Sequence, residues 1–100
     1  MRSIMQPTKD YCFLCSLLEA DGSRRNDLEE HHVIYGRANR KLSEKYGLKI
    51  YLCRKHHREG TKAVHNNKDI RRITEAIAQK KFAEVFPDED FVKIFGKNYL

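Results

Sequence analysis

Residues 52–60 read LCRKHHREG, and the fold turns on how this stretch is divided. Cys53, His56 and His57 place three candidate metal ligands within five positions. A closed tetrahedral zinc site takes four ligands, commonly as two local pairs, and Cys53-x2-His56 is one such pair. Cys12-x2-Cys15 in YCFLC is the other. The two pairs predict a structural Zn2+ held by Cys12, Cys15, Cys53 and His56. Neighbours at a helix start point about 100° apart, so His57 should face away from that zinc. The stretch therefore predicts two sites, one on each side of a short element.

The totals agree with a metal-stapled domain. One hundred residues, 40% apolar and without tryptophan, make one small domain whose core alone is marginal. Three cysteines are an odd number, and Cys12 and Cys15 stand too close for a framework disulfide. The opening MRSIMQPTKD has no apolar run of a secretory signal, and no segment could span a membrane. The expectation is a cytoplasmic, reducing location, where C-x2-C reads as metal-binding or redox before disulfide.

The net charge of +6 is confined to one region. Residues 37–62 hold nine basic side chains (Arg37, Arg40, Lys41, Lys45, Lys49, Arg54, Lys55, Arg58, Lys62) against Glu44 and Glu59. A focused positive field beside histidines points to a polyanion, most simply nucleic acid; a solvated surface is the plain alternative. The segment has no continuous apolar face for membrane insertion.

Along the chain, residues 1–27 read as a zinc knuckle and a polar loop. Residues 28–34, LEEHHVI, look extended, and RANRKLSEKYG suggests a loop with one or two helical turns closing at Gly47. Residues 48–52, LKIYL, make a second strand, and a helix beginning at 54–59 is interrupted by Gly60. From 68 to 100 the pattern is helical: Ile70, Ile73 and Ile77, then Phe82, Val85 and Phe86, form an apolar face up to Pro87. Asp88 is the expected N-cap of a last helix that buries Phe91, Ile94 and Phe95.

Four histidines remain outside the zinc set: His31, His32, His57 and His65. On one continuous helix His65 would lie about 12 Å from His57 along the axis, so sharing an ion requires a bend near Gly60. On a regular strand His31 and His32 point to opposite faces. Arg37 and Arg40, a few residues after His32, could clamp phosphate oxygens in bidentate fashion or be plain solvated loop arginines.

With these residues in place, the chain resembles the HNH nucleases of the ββα-metal group, in particular short phage and prophage members with a zinc knuckle. The resemblance runs from Cys12 to about Asn67 and rests on CFLC, LEEHHVI, and YLCRKHH followed by AVH. It implies an α+β, zinc-stabilised ββα-metal core over 28–67 with C-terminal helices. It also implies a metal-dependent endonuclease acting on DNA, expected to be double-stranded. In that family the first histidine of the pair is a metal ligand (His31), the second the general base (His32), and the helix-opening histidine a ligand (His57). His65 is the candidate for a further ligand of the catalytic ion, which would be Mg2+, Mn2+, Ni2+ or Zn2+. The family's middle asparagine, which orients the base, falls on Leu48; Asn39 is the nearest substitute. A non-catalytic zinc-stabilised nucleic-acid-binding module is the alternative, and a zinc-stabilised protein-interaction module is a third. A bacterial or phage-infected cell is the implied setting. A homodimer or a phage protein partner would serve to cut both strands.

Overall fold

The computed structural model describes residues 1–100. In order, the elements are α1 (Phe13–Glu19), β1 (Glu29–His32), α2 (Arg37–Tyr46), β2 (Lys49–Leu52), a π-helical turn (Lys55–Glu59), α3 (Lys68–Val85) and α4 (Phe91–Phe95). β1 and β2 form a two-stranded antiparallel sheet with His31 opposite Ile50 and His32 opposite Lys49. The fold is a small α+β domain.

α1 lies inside the segment that the sequence reading treats as knuckle and loop. It forms because Cys12 caps it, its Sγ accepting the Cys15 N–H at 3.4 Å. α2 is a ten-residue helix rather than the one or two turns expected. It stops at Gly47, whose φ of +73° is left-handed and whose missing Cβ would lie 2.3 Å from the Arg2 carbonyl oxygen. Any side chain there meets both strain and backbone. Only Gly47 and Leu48 separate α2 from β2.

Leu14, Val33, Ile34, Leu48, Ile50 and Leu52 are fully buried around the sheet. Leu48 also anchors the backbone, its N–H donating to Ser43 O and its carbonyl accepting from Val33 N–H. The same core continues from α2 to the C-terminal helices. Phe82 sits under Tyr46, Phe86, Phe91 and Phe95, with ring centroids 5.2–6.1 Å away.

α3 corrects part of the expected pattern. Its buried stripe is Ile70, Thr74, Ala78 and Phe82, at a spacing of four. Ile73 and Val85 lie beside that stripe and are 41% and 42% exposed. Asp90, not Asp88, caps α4, its carboxylate accepting the Lys93 N–H at 3.2 Å. Phe91 and Phe95 are buried in α4, whereas Ile94 is only partly covered. No helix is long and apolar enough to cross a membrane.

Candidate functional site

The first site joins three elements. Cys12 and Cys15 come from the start of α1, Cys53 from the end of β2, and His56 from the π-helical turn; all four are buried. His56 Nδ1 lies 3.3 Å from the sulfurs of Cys15 and Cys53 and 3.7 Å from that of Cys12. The Cys15 and Cys53 sulfurs are 3.7 Å apart. Bonds of about 2.3 Å to sulfur and about 2.0 Å to nitrogen give tetrahedral edges of roughly 3.5–3.8 Å. The four side chains fit a structural metal ion such as zinc. Burial and the neighbouring thiols push the Cys15 thiol up to about 12, so a thiolate there calls for a cation. Glu19 Oε2 lies 3.1 Å from the distal Nε2 of His56, in the manner of carboxylates that orient metal-bound imidazoles.

The second cluster gathers His31, His57 and His65, with one ligand nitrogen from each within 4.8 Å of the others. His65 reaches it because the chain folds back after the π-helical turn, with Val64 N–H donating to His56 O and His65 N–H to His57 O. The Asn66 and Asn67 amides fasten the fold-back, donating to the carbonyls of Gly60 and Thr61. Gly60 permits it, since a Cβ there would lie 2.5 Å from Lys55 O.

The outer nitrogens of two imidazoles are engaged. His57 Nδ1 donates to Glu29 at 2.8 Å, and His65 Nδ1 meets the Tyr35 hydroxyl at 3.0 Å. Glu29 can only accept, so the proton on this side sits on His57 Nδ1, and in the neutral ring Nε2 presents its lone pair inward, facing His65 Nε2 at 3.1 Å. His31 Nε2 is buried with no partner. Without an ion, one proton on His65 Nε2 can bridge the pair, but His31 remains unsatisfied. A divalent cation would satisfy all three. Burial, then the neighbouring His57 and His65, lowers His31 to about 3; burial also lowers His65. These rings are neutral at pH 7, as ligation requires.

These histidines line a cleft of about 240 Å³ together with Glu30, His32, Tyr35, Arg40 and Arg58. His32 lines the same cleft but stands outside the imidazole cluster, its Nε2 lying 3.0 Å from Glu44 Oε1. Of the two expected phosphate clamps, Arg40 lines the cleft and Arg37 does not; Arg58, from the π-helical turn, joins instead. Asn39 makes no hydrogen bond to His32: its amide donates to Tyr35 O at 2.9 Å and so ties the loop that follows β1.

The basic segment is also altered in one place. Lys49 is buried and held by Glu44 at 3.0 Å, which withdraws it from the expected nucleic-acid surface. Arg54 and Lys55 remain exposed despite pairing with Glu59 at 3.6 Å and Glu19 at 3.7 Å. Arg37, Lys41, Lys45 and Lys62 are exposed.

Glu29, Glu30, Tyr35 and Glu44 were not among the sequence candidates. The signal for two of them is alternation in EEHH, which puts Glu29 with His31 on one face and Glu30 with His32 on the other. Comparison with family models, curated proteins and solved structures gives no match.

Proposed function

We propose that the chain is a metal-dependent nuclease of the HNH, ββα-metal kind that hydrolyses phosphodiester bonds in DNA. The observation that carries this reading is the convergence of His31, His57 and His65 in a cleft rimmed by Arg40, Arg58 and His32. Three imidazoles would hold a divalent ion and leave coordination positions open. Bound there, the ion would neutralise charge on the scissile phosphate and on the departing oxygen. His32 takes the proton from the attacking water, and Arg40 and Arg58 bind phosphate oxygens. Glu29 and Tyr35 orient His57 and His65. The Cys3His site holds the π-helical turn, and so the His57 imidazole, in register with β1.

The test is nicking of supercoiled plasmid with Mg2+, Mn2+, Ni2+ or Zn2+ by wild type, His32→Ala and His57→Ala. Wild type should nick with at least one ion, and both variants should lose nicking while staying folded. A wild type that binds duplex DNA yet cuts with no ion would replace this reading with the second, a zinc-stabilised nucleic-acid-binding module. The observation favouring that alternative is Leu48, a core residue where the family uses its orienting asparagine.

A further inference from the structure

β1 carries two glutamate–histidine pairs, and only one of them faces the imidazole cluster. The other pair, Glu30 and His32, meets Glu44 from α2 and Lys49 from β2. Lys49 stands directly opposite His32 in the ladder. Its ammonium lies 3.0 Å from Glu44 Oε2 and 3.6 Å from Glu30 Oε2, while His32 Nε2 lies 3.0 Å from Glu44 Oε1 and 3.6 Å from Glu30 Oε1. Two carboxylates and an imidazole could hold a cation. Here the cation is built in, because the nearly buried Lys49 ammonium sits among them. The cluster is therefore a clamp rather than another ion site.

What it clamps is the ring of His32. A carboxylate only accepts, so the short contact to Glu44 places a proton on His32 Nε2. The nitrogen left with a lone pair is Nδ1, on a side chain that lines the cleft. We propose that Glu44 is the positioning residue of the general base, accepting from His32 Nε2–H so that Nδ1 is the nitrogen that takes the proton from water. Lys49 and the Met1 ammonium in turn fix Glu44, each lying 3.0 Å from its Oε2. The carboxylate also stabilises the positive charge that grows on the ring as it accepts the proton, as in other carboxylate–histidine pairs. Hydrogen bonds from His32 and Lys49 lead the causes that hold Glu44 down at about 2, so it stays charged across the working range. The clamp supplies from α2 the orientation that position 48 cannot give, since Leu48 belongs to the core. This assignment rests on the nuclease reading for the role of His32, while the pairing itself is measurable without catalysis.

The experiment uses the zinc-loaded full chain with 15N-labelled histidine. Two-bond 1H–15N spectra should show His32 as the single Nε2–H tautomer in wild type. In Glu44→Ala the two nitrogens should average. Glu44→Gln, whose amide oxygen still accepts, should keep the tautomer and guards against a folding artefact in the alanine variant. In single-turnover nicking, Glu44→Ala should be slower by at least about tenfold at unchanged plasmid affinity. His32→Ala should cut no faster than the His32→Ala, Glu44→Ala double variant. A wild-type His32 in the Nδ1–H form, or averaging that Glu44→Ala leaves unchanged, overturns the proposal. A Glu44-dependent tautomer in a chain that cuts no DNA supports the pairing and overturns the nuclease reading instead.

Discussion

His56 and His57 share a peptide bond but serve different clusters: His56 Nδ1 lies 3.3 Å from two cysteine sulfurs, and His57 Nε2 lies 3.1 Å from His65 Nε2. Replacing either should separate folding from function. Cys53→Ser or His56→Ala should lose bound zinc and most of the circular-dichroism signal of the folded chain. His57→Ala should keep one zinc per chain by metal analysis and keep its thermal transition. Equal loss of fold in both variants would contradict the division.

Metal removal gives a complementary result. A strong chelator at neutral pH should unfold the wild type, because binding at a structural zinc site is itself folding free energy. Refolding should follow addition of one equivalent of zinc. A chain that stays folded without metal would show that the apolar core suffices.

The outer contacts of the second cluster should be visible in affinity. Glu29→Gln and Tyr35→Phe should each weaken binding of Ni2+ or Mn2+ to the zinc-loaded chain by about tenfold to a hundredfold. Titration calorimetry checks this without any activity. Unchanged affinity in both variants would leave those two side chains with a packing role only.

The pH dependence of stability follows from His31. Its folded value of about 3 lies below its ordinary 6.5, so the unfolded chain binds the extra proton between those values. Stability is complete above about pH 6.5 and falls as pH drops toward 3, by up to about 1.4 kcal/mol per pH unit for one such group. Urea unfolding of the zinc-loaded chain, with the second cluster free of added ion, should show this fall between pH 6.5 and 5. His31→Phe should flatten it; an equally steep fall in that variant would remove His31 as the cause.

Packing predictions separate the two sides of α3. Phe82→Ala, at the centre of the aromatic group, should cost about 3–5 kcal/mol. Ile73→Ala, on the exposed side, should stay within about 0.5 kcal/mol. Denaturant midpoints decide both.

Much of this was legible because it is local. Ligand spacing at 12/15 and 53/56 is set by the reach of one turn, and the three helical and strand patterns at 28–34, 48–52 and 68–86 come from side-chain periodicity. The fold-back that returns His65 was readable only as a condition, since the Asn66 and Asn67 hydrogen bonds that secure it run to backbone carbonyls and carry no sequence spacing. Lys49 reads as a surface cation by type; its burial depends on Glu44, which reaches it across the turn at Gly47. Ile73 and Ile77 read as core by period, but a stripe drawn from apolar residues alone overlooks Thr74, whose hydroxyl donates to Arg71 O at 2.7 Å and so can be buried. Tyr35 carried no pattern at all.

The peptide bond between His56 and His57 makes the two clusters thermodynamic partners. An ion that fixes His56 removes conformational freedom from His57 before any second ion arrives, and the coupling free energy is the same in the other direction. If the cleft takes an ion as proposed, occupancy of the scaffold would set its affinity. A chain starved of zinc would lose its second ion at concentrations that otherwise saturate it.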